Sequence, residues 1–545
     1  MKTKRLLIIL TVLLFLATFS PLLSKAFSAT DYVDVNVVQA RTMINTTPSL
    51  VILDVRNLSE YVTGHIRNAK LIPLFQLSTN LSELNVADEI LVYCRSGIRS
   101  TNASQILVAN GFLHVYNMAG GILGWIAEGY PTYVNYGSIQ QAVNNATERT
   151  TLYVGTGQYF ETLTINKSLS LVGENKDSTI IDGNDNRTVL YVNADNVSIN
   201  DLKIQYSGCS CEGLYGIDMG SNRRNVNVTN NNIFSDSVGI YVKDGQDIVI
   251  VNNNVTSSRD YSIAIQDSTG ILMSDNIFAD NLNQVDIENS SALTIINNNF
   301  TNSGTYGITL TNSNNNTISG NMFSSNKSYA ADALFFLQSN NNSIFDNSFQ
   351  ANWSNVSVRN STDFWDNGLE GNFWSSYTGT DSDNDGIGDT PFTIDAQNVD
   401  NHPLVGTFSS YLVSLNSRVY VVTNSTIDDL EYISPNTIRL QVSNATANQT
   451  VGFCRIGIPH ALIDPNNGTI QIIIDNNQTQ VAFLNTTLYD NGTCRWVYFA
   501  YPQSTHEIMI VPEYSLLWTV PLSLVTIIVI LNYGRKRRTV KENAR

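Results

Sequence analysis

"DNIFADNLNQVDIENSSALTIINNNF", residues 275–300, spans one period of a repeat and decides the fold of most of the chain. It opens on DNIF, closes on NNNF, and carries an apolar point at Val285 between them. Aligning it with NNIF, NNNV, GNMF, DNSF and GNFW puts asparagines at Asn232, Asn254, Asn276, Asn298, Asn321, Asn347 and Asn372. The steps are 22, 22, 22, 23, 26 and 25 residues. The second apolar point recurs at Ile217, Ile240, Ile263, Val285, Ile308, Leu334 and Val356. Each unit reads as short alternating strands joined by Asn, Ser and Gly turns, and it cannot bury its own apolar face. Successive units must therefore stack. The expected architecture is a right-handed parallel β-helix over residues 137–406, with Ile, Val and Phe inward and asparagines stacked at the turns. A run of β-sandwiches would not hold so short a period.

The rest of the chain differs in texture. Residues 31–134 alternate apolar runs of strand length, "SLVILDVR" and "EILVYC", with the helically spaced "STNASQILVANG", which predicts a small parallel α/β domain. Residues 407–511 alternate again in "SRVYVV", "TIRLQV", "WVYFAY" and "HEIMIV", as in a C-terminal β-sandwich stalk. With 545 residues, a multidomain chain is expected. A net charge of −16 argues against a nucleic-acid partner.

The two ends place the body outside the cell. Lys2, Lys4 and Arg5 precede an apolar run and then Ala26, Ser28 and Ala29, which reads as a signal peptide over 1–28. Residues 516–533 form an apolar stretch that predicts a single C-terminal transmembrane helix. The basic tail 534–545, with Arg535, Lys536, Arg537 and Arg538, would stay cytoplasmic. The expected location is the cell membrane, single-pass, with an extracellular body. About two dozen Asn-x-Ser/Thr sequons suit a glycoprotein there.

Among five cysteines, Cys209 and Cys211 flank one serine and Cys454 and Cys494 are candidates for a disulfide in the stalk, which leaves Cys94 as the expected free thiol. In "LVYCRSGIRSTNASQ" Cys94 ends a strand, and the loop Arg95, Ser96, Gly97, Ile98, Arg99, Ser100 leads into a helix. Its backbone N–H groups and the helix's positive end can stabilise a thiolate, the nucleophilic form.

Here the sequence resembles a rhodanese domain over 31–134. "LDVRNLSEYVTGHIRNAKLIPL" matches the family's first signature at Asp54, Arg56, Glu60, Gly64, His65, Ile66, Ala69 and Pro73. "YCRSGIRS" resembles its catalytic loop, and "VYNMAGGILGWIAEGYP" its closing signature, with Gly120, Gly121 and Trp125 in place. The resemblance implies a sulfurtransferase in which Cys94 takes a sulfane sulfur as a persulfide and passes it to a thiol acceptor. Arg95 and Arg99 would bind the anionic donor, and no cofactor is required. Cysteine phosphatases of related architecture use Cys-x5-Arg. Here Ser100 stands six after Cys94 and Arg99 comes one residue early, a shorter ring that suits sulfur better than phosphate. Asp54, Arg56 and His65 read as structural groups near the loop.

The repeats, with "LYVGTGQYFETLTINKSLSLVGENKDSTIIDG" and "GNFWSSYTGTDSDNDGIGDTPFTI", are similar to NosD-like, pectin-lyase-type β-helices of archaeal surface proteins. Copper, which that resemblance raises, needs clustered His, Met or Cys, and these are scattered; Cys209 and Cys211 in "GCSCEG" have nothing nearby to complete a site. "DSDNDGIGD" offers Asp381, Asp383, Asp385 and Asp389 as oxygen ligands for a structural calcium, although its twelfth position is Phe392 rather than a glutamate. Tyr, Asn and Asp along the β-helix suit carbohydrate binding or a scaffold. Two readings compete with the sulfurtransferase: a non-enzymatic adhesin carrying an inactive rhodanese fold, and a β-helix enzyme that processes glycans.

Overall fold

The computed structural model describes residues 31–512 apart from 186, 209–213, 235, 327–331, 351–354, 415–416, 434–435, 447–448, 465–469, 476–486 and 503. The expected signal, membrane span and basic tail lie outside the described residues, as do Cys209 and Cys211. Among the described residues no helix is long and apolar enough to cross a membrane. The chain forms two compact units that divide between Ile271 and Leu272.

The first unit opens with an α/β domain. Its strands are β1 (Val33–Val35), β2 (Val51–Asp54), β3 (Lys70–Leu71), β4 (Glu89–Tyr93) and β5 (His114–Met118), all parallel, in the order β1-β5-β4-β2-β3. Helices α1 (Val37–Thr46), α2 (Leu58–Tyr61), α3 (Leu74–Leu77), α4 (Ile98–Ala109) and α5 (Gly121–Ala127) connect them. Two apolar cores flank the sheet, one around Leu53, Val92 and Leu107, the other around Ile52, Leu91 and Trp125. Strands buried on both faces need the continuous apolar runs seen at β2 and β4. The helix α6 (Ile139–Asn145), capped by Ser138, then covers the first turn of a solenoid with Ile139 and Val143.

Each turn of that solenoid gives one strand to each of three parallel sheets. In the first unit Ile199 pairs with Val228, Ile204 with Ile233 and Ile217 with Ile240. In the second, Ile295 pairs with Ile318, Phe300 with Phe323 and Val285 with Ile308. All of these side chains are buried. Phe278, Phe300, Phe323, Phe349 and Trp374 stack in turn at centroid distances of 5.0, 4.8, 5.1 and 4.4 Å.

The asparagine motif has a two-part cause. Asn230, Asn252, Asp275, Asn297, Gly320 and Asp346 all take positive φ, a left-handed bend that only Gly, Asn and Asp adopt at low cost. The following asparagine is buried and joins its neighbour in the next turn. In the second unit Asn276 N donates to Asn298 Oδ1 at 2.9 Å, Asn298 N to Asn321 Oδ1 at 2.9 Å, Asn321 N to Asn347 Oδ1 at 3.0 Å and Asn347 N to Asn372 Oδ1 at 3.1 Å. In the first unit the same bond runs from Asn231 to Asn253. The expected register through Asn232 and Asn254 is thus one residue out. Both lie in runs of three asparagines, which are degenerate in sequence, and both begin strands instead.

Residues 407–512 form two antiparallel sheets, of five and four strands, packed around Val421, Ile438, Ile456 and Phe499. The expected Cys454–Cys494 disulfide is absent, and both cysteines are free. Their strands pair, but Cys454 lies opposite Phe499 and Cys494 opposite Pro459. Five residues of register separate them, about 17 Å at roughly 3.4 Å per residue, whereas a disulfide needs Cα atoms within about 7 Å. Cys454 Sγ instead lies 3.6 Å from Thr423 Oγ1 and Tyr501 Oη.

Candidate functional site

Cys94 follows β4, a central strand, at the carboxyl edge of the parallel sheet, where connecting loops form an open crevice. Gly97 turns the loop with φ 105° and stands as the N-cap of the twelve-residue α4, whose positive end therefore faces the sulfur. Gly97 N donates to Cys94 Sγ at 3.2 Å. Burial pushes the thiol up, but hydrogen bonds from the Ser100 hydroxyl and from the N–H groups of Ser100, Ser96 and Gly97 outweigh it. The net result holds the Cys94 pKa below its ordinary value.

The loop is fastened from behind by α5. Ile122 N donates to Cys94 O at 2.9 Å and Leu123 N to Arg95 O at 3.1 Å. Gly121, at φ 56°, makes this approach possible: a Cβ there would lie 2.6 Å from Cys94 O and 2.7 Å from Arg95 C. Gly121 is therefore a packing requirement of the loop.

The loop's two arginines have different fates. Arg99 makes a two-pronged ion pair with Glu60, 2.7 Å on each prong, and that guanidinium holds the Glu60 carboxyl down at about 2. Arg95 is exposed and has no ion-pair partner among the described residues. The bare cation at the mouth is thus Arg95, while Ser96 and Ile98 are exposed beside it. Ser100 is buried, with its Oγ 2.9 Å from Gly97 O.

Asp54 and Arg56 lie beneath the loop, buried and joined at 2.6 Å; Arg56 Nη2 also donates to Gly64 O. His65 is fully buried and stacked on Tyr61, with Nε2 2.9 Å from Glu174 of the solenoid. Glu174 also accepts from Asn68 N and Thr156 N, and its carbonyl accepts from Arg67 Nε. These contacts join the α/β domain to the first solenoid turns. The capping of α2 by Glu60 had a readable signal in Asn57–Glu60, whereas its pairing with Arg99 and that of Glu174 with His65, 109 residues away, had none.

Comparison with known proteins fits this geometry. The rhodanese-like domain family matches residues 36–128. A thiosulfate sulfurtransferase of Arabidopsis thaliana is 36% identical over 123 residues, covering 20% of this chain and 89% of that protein. This chain belongs to the rhodanese-like family. A sulfurtransferase of Allochromatium vinosum is 33% identical over 85 residues, covering 16% of this chain and 79% of the relative. A crystal structure of a rhodanese-related protein from Thermoplasma volcanium is 32% identical, covering 19% of this chain and 99% of that one, with a TM-score of 0.18. Relatives named as sulfurtransferases support a sulfurtransferase-like activity of the rhodanese domain at family level.

A second family, described as periplasmic copper-binding protein (NosD), matches residues 172–379. The described residues of the solenoid do not fit copper. Among them the one group of three or more His, Cys, Asp or Glu close enough to share a metal is Asp381, Asp383 and Asp385, an all-carboxylate set unsuited to a soft ion. Met219 and Met273 are buried core residues. Asp389 stands apart from that trio, and its carboxylate accepts from Ser382 and Thr380.

Proposed function

We propose that this protein is an extracytoplasmic, tail-anchored sulfurtransferase that moves sulfane sulfur through a Cys94 persulfide. The observation that carries the reading is a Cys94 thiol held below its ordinary pKa by converging N–H and O–H groups, next to the unpaired Arg95. The Cys94 thiolate attacks the outer sulfur of an anionic donor such as thiosulfate. A Cys94 S–S bond forms, the donor's S–S bond breaks, and sulfite leaves with the electron pair. Loop N–H groups, no longer facing a thiolate, then cradle the anionic outer sulfur. A nucleophile such as cyanide or a thiolate takes that sulfur and returns Cys94 as thiolate. Arg95 is the first contact for the donor's charge, and Glu60 competes with the donor for Arg99.

The deciding experiment supplies the whole chain with thiosulfate and cyanide and compares it with Cys94→Ser. Thiocyanate formation and a persulfide mass increment on the Cys94 peptide are expected only for the wild type. Their absence, with other sulfane donors also failing, would sink the enzymatic reading in favour of a scaffold carrying an inactive domain.

The solenoid would serve as a scaffold and offer a face for carbohydrate. Support for the latter is an outward row on one sheet, where Tyr191 pairs with Asp218 and Asp218 with Tyr241, with Tyr215 stacked on Tyr241 at 4.5 Å. Glycan-array binding that disappears in Tyr241→Ala tests it. A calcium ion on Asp381, Asp383 and Asp385 would stiffen the last solenoid loop, and thermal unfolding with and without calcium checks this.

A further inference from the structure

The rhodanese domain has a second cavity, of about 400 Å³, that its sulfur chemistry does not use. It opens at the amino-terminal edge of the parallel sheet: Pro48 and Leu50 precede β2, and Arg67 and Asn68 precede β3, whereas Cys94 follows β4 at the other edge. Its lining is mixed: Ile44, Ile52, Ile66, Trp125 and Tyr133 supply apolar surface, and the rest is polar. Trp125 is locked in place because its indole N–H donates to Pro131 O at 2.9 Å.

Arg41 is the unusual lining residue. It is half-buried on α1, and its guanidinium lies 5.7 Å from the ring centres of both Trp125 and Tyr130. It has no carboxylate partner and no hydrogen bond among the described residues. The domain's other arginines near this edge and beneath the loop are spent: Arg67 bonds Glu174 O and faces Asp201 at 3.4 Å, and Arg56 is tied to Asp54. A guanidinium packed against two aromatic rings with no carboxylate partner leaves its N–H fork available to an incoming acceptor. Asn45 and Asn68 also line the cavity and supply amide groups.

We infer that this cavity is a second binding site, distinct from the Cys94 loop, for a small organic monocarboxylate with a flat or compact apolar body. The volume lies at the small end of ligand pockets. The planar fork of Arg41 matches a carboxylate's two oxygens. One uncompensated positive charge, that of Arg67 being matched by Asp201, selects a monoanion over a dianion. The apolar side chains of the lining take the body. Because Arg67 and Asn68 also bond Glu174, the occupant would sit beside the contact between the domain and the solenoid.

The test titrates the whole chain calorimetrically with benzoate and with its neutral isostere benzamide. Expected is saturable benzoate binding, about tenfold or more tighter than benzamide. Arg41→Gln removes the preference and Arg95→Gln keeps it. Should Arg41→Gln fail to fold, Ile44→Trp, which fills the cavity and spares the guanidinium, must abolish benzoate binding. Equal affinity for the two compounds, no saturation by benzoate, dependence on Arg95 instead of Arg41, or binding that survives Ile44→Trp would each overturn the site.

Discussion

The Cys94 loop and the asparagine stack use the same backbone device toward different ends. Gly97 and Asn297 both take positive φ, 105° and 56°, and both turn the chain so that N–H groups point in one direction. In the stack the next turn supplies the acceptor, so Asn298 N is spent on Asn321 Oδ1. The loop has no next turn, and the N–H groups of Ser96, Gly97 and Ser100 converge on a sulfur. Repetition consumes hydrogen-bonding capacity in structure. A reactive site is where that capacity is left over, and the comparison can be broken at either end.

The largest effect belongs to the sulfur itself. Cys94→Ser should lower thiosulfate-to-cyanide transfer by about a thousandfold or more, since a serine in the loop cannot carry the persulfide. Next comes Gly121→Ala. A Cβ at 2.6 Å from Cys94 O must displace the loop, and a misplacement of about 1 Å costs roughly a hundredfold in kcat/KM. Circular dichroism should stay native, because the clash is local.

At the other end, Asn321→Leu strips an acceptor from Asn298 and donors from Ile295 O and Asn347 Oδ1. Leaving buried groups unpaired should cost of the order of 3 kcal/mol of stability. Denaturant titration reads this, while sulfur transfer per folded molecule stays unchanged. A loss of transfer without a loss of stability would contradict the division of labour. A smaller effect follows from Ser100→Ala. Its hydroxyl helps hold the thiol pKa down. The reactive form is the thiolate, so kcat/KM rises with pH through that pKa and levels off above it. In the wild type the rise should lie at lower pH than for an ordinary cysteine thiol. In Ser100→Ala it should move to higher pH, with a few-fold lower rate near neutrality and recovery under alkaline conditions.

How much of this was legible depended on whether a residue's partner is local or repeated. The solenoid was readable because Val285, Ile308 and Leu334 recur at a period, and the period alone demands stacking. The register at Asn231 and Asn253 was not, since three consecutive asparagines satisfy the motif in more than one frame and only packing selects. The Cys94 loop was readable because its donors lie within six residues of the sulfur. The capture of Arg99 by Glu60 and the burial of His65 against Glu174 depend on chain approaches that no local pattern encodes. Cys454 and Cys494 illustrate the same limit: two cysteines in one β-domain invited pairing, and a register of five residues forbids it.

Those two cysteines also supply the mildest test, one in which most of the molecule should show nothing. Burial pushes the Cys454 thiol up to about 11 and the Cys494 thiol up to about 12, so neither forms thiolate near neutral pH. Cys94 is buried too, yet its pKa is lowered, because the loop supplies donors that the sandwich strands have spent on each other. Brief iodoacetamide treatment of the native protein, followed by peptide mapping, should therefore label Cys94 ahead of Cys454 and Cys494. Reductant should leave the Tm unchanged, because the sandwich has no Cys454–Cys494 bond to lose. A cross-linked Cys454–Cys494 peptide, or labelling of either before Cys94, would remove the contrast between spent and unspent donors on which the reading of the sulfur loop rests.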